Sequence, residues 1–277
     1  MFAEKEALRL RIVNLLFYLL LVFSAILFES LPLNNTRMTE VFLYFDTPIT
    51  PSSFTFSLWQ LILFSFLFFI IYQFGGLHGT AKGDNPDLIQ GAGLYFIFAA
   101  GSGTAWLFSI HFRNTLVGLL LVFFTWFCLQ RACYDIRKEI RRQRERIFFL
   151  LPFSLYYAWI TVLVIIHVVI IFAQSRKDLL GFPYSLLCYT AILVIFAISA
   201  YQLIRYQDYV FAGAIIWTNF GIFYKNFQIV GEERAFNIVI LTTISTGILL
   251  AVSGITYLAG RHKPQLPNSP GHRIFYD

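Results

Sequence analysis

Apolar residues in this chain come in long uncharged blocks separated by short polar segments. Eight blocks stand out, at residues 12–28, 54–74, 88–110, 114–130, 147–175, 179–204, 209–224 and 235–260. A helix of about 20 apolar residues crosses a hydrocarbon layer about 30 Å thick. The blocks are continuously apolar rather than alternating with period two, which excludes a membrane β-barrel. The pattern therefore predicts an all-α, polytopic membrane helix bundle with about eight transmembrane helices. The seventh block is short and needs its flanks Asp208 and Lys225 at the headgroups, so seven spans is the alternative count. None of the intervening segments is long enough for a soluble domain.

Composition strengthens this picture. The chain is 58% hydrophobic, 19% aromatic and only 13% charged, with 32 Phe, figures outside those of a water-soluble domain. Its formal charge of +6 sits between apolar blocks and never forms a face that nucleic acid could follow. Counted on alternate sides of eight spans, fifteen Lys and Arg fall on one side and six on the other. The positive-inside bias then places both termini on the cytoplasmic side, or the matrix side of a mitochondrial membrane; a bacterial-type membrane fits equally. The first block lacks a convincing cleavage site after it and reads as a retained anchor. The stretch RACYDIRKEIRRQRER, 131–146, reads as a helical extension of the fourth span ending at the membrane surface. It is either an ordinary positive-inside segment or a contact for anionic lipid or a partner subunit through Arg137, Lys138, Arg141 and Arg142. A sequon, Asn34-Asn35-Thr36, lies on the opposite side.

Candidate chemistry is sparse. There is no acid pair within a span, no metal-ligand spacing, no phosphate loop and no plausible nucleophile set, so an enzyme is not expected and no catalytic or metal residue is assigned. Cys128, Cys133 and Cys188 read as plain helix residues. Within the fifth block Pro152, Tyr156, Trp159, Leu163 and His167 share one helical face. His167, an ionisable group in hydrocarbon, either bonds to a neighbouring helix or contacts a buried ligand. Axial haem ligation, with His111 as its partner, would need both rings on a common cavity. Small residues from Ala99 to Ala105, the Gly213, Trp217 and Gly221 stripe, and Gly247 with Ala251 each predict a close helix approach. Asn219, nearly opposite the second stripe, should face a different neighbour.

Several segments carry a family resemblance. TPSSFTFSLWQLILF, Thr50 to Phe64, resembles the second-helix motif of the tryptophan-rich sensory protein or translocator protein family (TspO/MBR), in its longer form with extra C-terminal helices. LPLNNTRMTEV before it, GSGTAWLF in the third block, LPFSLYYAWITV in the fifth and YQDYVFAGAIIWTNFGIFYK in the seventh are similar to further family motifs, in the same order. The resemblance runs from about residue 12 to 259. It implies a five-helix core over 1–175, followed by three additional helices and a short tail over 176–277. It also implies an intramembrane pocket for a flat apolar ligand such as a sterol or tetrapyrrole. The lining it suggests is Trp59, Trp106, Tyr156 and Trp159, with His167 as the oriented polar contact and Trp217 in the appended part. Trp126 matches no family motif.

Departures from the family pattern concern the same pocket. Gly103 stands where the family has Asn, Ala158 where it has Gly, Leu163 where it has Ala, His167 where it has Asn, Leu63 where it has Tyr, and Gln60 where it has Gly. Polar pocket groups are thereby lost, and an apolar substitute cannot hydrogen-bond a ligand carboxylate. Two expectations follow. One is a membrane protein that binds or transports a flat hydrophobic ligand, a sterol, tetrapyrrole or lipid. The other is a non-catalytic accessory subunit of a larger membrane complex, or a homo-oligomer, that keeps the fold without the ligand site.

Overall fold

The protein is described here from a computed structural model covering residues 2–31, 40–41, 44–75, 86–140, 142–175, 183–229, 231 and 233–261. Asn34 and Arg141 lie outside the described residues. Eight long helices are present among them. They are α1 (Phe2–Ser30), α2 (Ser57–Gln73), α3 (Pro86–His111), α4 (Thr115–Glu139), α5 (Leu151–Ser175), α6 (Tyr184–Tyr206), α7 (Tyr209–Phe227) and α8 (Glu233–Arg261). Helix is the expected outcome in hydrocarbon, because only intra-segment hydrogen bonds satisfy every backbone group there.

Seven helical segments are long and apolar enough to cross a membrane, and α7 is the exception. Its hydropathy is lowered by Asn219, Lys225 and Asn226, and protein rather than lipid receives all three. Asn219 Nδ2 donates to Ser245 Oγ of α8 at 3.2 Å. Asn226 Nδ2 donates to Pro48 O at 2.9 Å, and Lys225 is paired with Asp46 and donates to Thr47 O at 2.8 Å. Polar groups in a span are tolerated when helices or loops enclose them, and α5, α6 and α8 all pack on α7.

Helix ends follow local chemistry. Arg113 takes a left-handed conformation (φ 60°), after which Asn114 caps α4 by accepting from Val117 N–H at 3.2 Å. Gln207, also left-handed, ends α6, and Asp208 caps α7 through Phe211 N–H at 3.0 Å. The extension predicted beyond the fourth span is helical to Glu139, and Ile140 is extended. A short turn, Gln143–Glu145, then enters a π-turn, Arg146–Leu150, immediately before Pro152. Proline supplies no amide to the carbonyl four residues back, and the wider turn, with Leu151 N–H on Arg146 O, accommodates the gap.

α5 is the hub, with 72% of its most apolar stretch buried against 22% for α1 and α8. It packs on α2 and α4, α3 packs on α4 and α1, and α1 returns to α2, which closes a ring in the order α1, α2, α5, α4, α3. α6, α7 and α8 pack on one another, with α6 and α7 against α5, and a single apolar core cluster continues through both groups. Phe66 and Phe69 of α2, Phe96 of α3, and Phe149 and Phe153 beside and within α5 fill the half of the ring nearest the arginine-rich turn. The centroids of contacting rings lie 4.8–6.4 Å apart in mostly edge-to-face pairs.

The small residues of α3 admit neighbours. A Cβ on Gly101 would touch the Phe17 ring at 3.0 Å, and one on Gly103 would overlap the Tyr156 hydroxyl. Gly221 likewise admits Thr55, and Ser52 N–H donates to Gly221 O at 3.2 Å. Gly247 and Ala251 differ from expectation: both are exposed, and a Cβ on Gly247 meets nothing within 4 Å. α8 turns Ser245 and Leu249, rather than this stripe, toward its neighbours.

Candidate functional site: a tryptophan-lined cavity

A cavity of about 530 Å³ opens between α1, the start of α2, α3 and α5, at the end of the bundle opposite the arginine-rich turn. Trp59, Trp106 and Trp159 all line it. Trp59 reaches it from the first turn of α2, just after the 3-10 turn Ser53–Phe56 docks on α7. Trp106 and Trp159 close its inner end, each only 2% and 1% exposed, and the Trp159 ring meets Phe56 edge-on at 5.3 Å.

The remaining predicted pocket residues take other places. Tyr156 is fully buried behind Trp59, with ring centroids 5.6 Å apart. Its hydroxyl rests against Gly103 and reaches Ala99 O at 3.5 Å. His167 is 1% exposed and stands behind Trp106: Trp106 Nε1–H donates to His167 Nε2 at 3.0 Å, and His167 Nδ1 meets Leu163 O at 2.8 Å. A neutral ring donating from Nδ1 and accepting at Nε2 satisfies both contacts and leaves no nitrogen for iron. His111 is packed against Phe28, with centroids 4.8 Å apart. Trp217 lines a separate, apolar cavity of about 470 Å³ between α2, α5 and α7 and touches Phe54 edge-on at 5.5 Å. Trp126 Nε1–H donates to Thr161 Oγ1 at 3.1 Å and joins α4 to α5.

Leu63 and Gln60, two of the positions that depart from the family pattern, do line the cavity, whereas sequence reasoning did not single out Phe54, Phe56 or Ile26 as lining, nor Glu29, Ser30, Ser53 and Ser57 at the polar mouth. The signal for the phenylalanines was their place in the same motif as Trp59. Glu29 closes the first apolar block and looked like a flank. With its amide oriented to satisfy its neighbours, Gln60 Nε2 donates to Phe56 O at 2.7 Å, which turns its oxygen outward as an acceptor. The cavity therefore offers an aromatic floor, hydroxyls, an amide oxygen and one carboxylate. Among the described residues no Lys, Arg or His lines it.

The predicted basic residues at the opposite end differ in placement. Arg137 is largely buried in an ion pair with Asp208 and lies 4.4 Å over the Tyr206 ring. Lys138 is exposed and sits 3.9 Å over the Tyr134 ring; Arg142 is exposed, and its backbone N–H donates to Glu145 Oε2 at 3.0 Å.

A ring of five helices around an aromatic cavity, with three more helices packed on its central member, defines a polytopic membrane protein built around a small-molecule-sized chamber. The family model described as TSPO-like protein matches residues 11–256, and the chain belongs to that family. No curated protein and no solved structure matches the chain.

Proposed function

We propose that the protein binds, and passes between membrane and cavity, a flat apolar molecule seated against Trp59, Trp106 and Trp159. The convergence of these three indoles from three helices on one cavity of about 530 Å³ carries this reading. The volume falls within the range of about 300–1,000 Å³ typical of small-molecule sites. Ring stacking and burial supply affinity, and the serine hydroxyls, Gln60 oxygen and Glu29 orient one polar end at the mouth. The lining among the described residues is mostly aromatic and aliphatic and carries no Lys, Arg or His, which favours a neutral, sterol-like or lipid-like amphiphile over a tetrapyrrole bearing free carboxylates. Nothing in the reading calls for catalysis.

The test is a titration of detergent-purified protein with a fluorescent sterol and with protoporphyrin, following tryptophan emission. The sterol should quench saturably, protoporphyrin more weakly, and Trp159→Ala should weaken sterol binding about tenfold, within the range for losing one aromatic stacking contact. Absence of saturable quenching by either would remove the proposal.

The exposed Gly247 and Ala251 on α8 favour a second reading, in which a helix of another chain or another copy packs there. Native gel electrophoresis after mild solubilisation tests it: migration as a free monomer counts against an accessory-subunit role.

A further inference from the structure

α4 and α6 both pack on α5, and a polar cavity of about 170 Å³ lies between them at the arginine-rich end of the bundle. Arg131, Tyr134 and Arg137 face it from α4, and Tyr201, Gln202 and Tyr206 from α6. Among the described residues two guanidinium groups and no carboxylate line it. They differ in what they have left to give. Arg137 is committed to Asp208, whereas the Arg131 side chain is 48% exposed and its nearest carboxylate, Asp135, stands 3.9 Å away. That carboxylate already accepts the Tyr95 hydroxyl at 2.9 Å. Lys138 and Arg205 flank the cavity, each over a tyrosine ring. Four cations against Asp135, Asp208 and Glu139, which adjoins Lys138, leave the described neighbourhood with a surplus of positive charge.

Toward the bilayer middle the surface changes character. Phe123 and Phe127 are exposed on the face of α4 that carries Arg131, and Val194 and Ala197 on the face of α6 that carries Tyr201. Between them α5 shows partly covered Val164 and Ile165. A basic, hydroxyl-rich head thus sits over an apolar trough running into the hydrocarbon.

We propose that this groove holds one anionic phospholipid. Its phosphate accepts from the Arg131 guanidinium and the tyrosine hydroxyls, and an acyl chain lies along Phe127, Phe123 and Val194. Charge complementarity selects an anionic head, and the trough continuous with the head cavity selects a lipid over a free phosphate ion. The site is separate from the tryptophan-lined cavity and does not depend on its ligand.

Native mass spectrometry of the full chain in neutral detergent tests the assignment, with phosphatidylglycerol and phosphatidylcholine of equal chain length. One phosphatidylglycerol should bind at least about tenfold more tightly than phosphatidylcholine, the scale of one charge-assisted contact. R131Q should abolish that preference, R131K should keep it to within about threefold, and R142Q, at an exposed arginine outside the groove, should leave it unchanged. Four results would overturn the assignment. They are equal binding of the two lipids, a loss in R142Q as large as in R131Q, a loss in R131K as large as in R131Q, and full displacement of the lipid by millimolar inorganic phosphate.

Discussion

Replacing Asp208 with alanine probes how the last three helices are held to the rest. The carboxylate receives three donors from three places: the Arg137 guanidinium of α4, the Ser154 hydroxyl of α5 at 2.6–2.7 Å, and Phe211 N–H of α7 at 3.0 Å. Side-chain exposure is 3% for Asp208 and 15% for Arg137, so water does little to screen the pair. Without the carboxylate, Arg137 keeps only neutral partners, Gln202 Oε1 at 3.4 Å and the Tyr206 ring. Breaking a buried pair from one side costs about 3–5 kcal/mol, and losing a helix cap costs about 1 kcal/mol. The residual exposure of Arg137 brings the expected total for Asp208→Ala to about 3–5 kcal/mol. Asp208→Asn keeps the cap and the Ser154 contact, so it should lose less.

The cycle of Asp208→Asn, Arg137→Met and the double variant isolates the charge interaction, since the double variant leaves no unpaired buried charge. Equilibrium unfolding in mixed micelles, followed by tryptophan emission, reads all of these. The expected result is a double variant less destabilised than the sum of its singles. An Asp208→Ala protein within about 1 kcal/mol of wild type, or singles that simply add, would refute the claim that this buried pair fastens α7 to α4 and α5.

Other substitutions test the packing around the cavity. Gly103→Ala should destabilise by about 1–3 kcal/mol in thermal melts, because its methyl overlaps the Tyr156 hydroxyl, and adding Tyr156→Phe should recover most of the loss. His167→Leu should cost about 1–3 kcal/mol by orphaning the buried Trp106 Nε1–H; combining it with Trp106→Phe, which removes that donor, should be milder than the two losses added. Gly221→Ala should be far more damaging than Gly213→Ala, since a Cβ at Gly221 runs into Thr55 and one at Gly213 meets open space. Equal melting of those two variants would contradict the docking of the 47–56 segment on α7.

Several features needed only the order of residues. Eight uncharged blocks become eight helices because hydrocarbon thickness sets their length and backbone hydrogen bonding sets their conformation, and neither depends on which neighbour a helix meets. The family could be named from short motifs, since Trp59, Trp106 and Trp159 stand in them at recognisable positions, and the family match covers residues 11–256. Asn219 was likewise separable from the Gly213 and Gly221 stripe by helical angle alone, and it faces α8 while the stripe faces the other way.

What the tertiary structure decided is which face of each helix meets which partner. His167, Tyr156 and Trp159 share a face of α5 in sequence, yet they separate. Trp106 captures His167, the space at Gly103 takes in the Tyr156 hydroxyl, and Trp159 reaches the cavity. Trp217 belongs to a second cavity because α7 lies on the far side of α5, and Arg137 turns inward because Asp208, 71 residues later, arrives beside it. Spacing along one helix fixes angles only about its own axis. The rotation of that axis toward its neighbours is set by contacts between residues far apart in the chain, such as the close approach at Gly103 and the charge pair at Asp208. No local pattern encodes them.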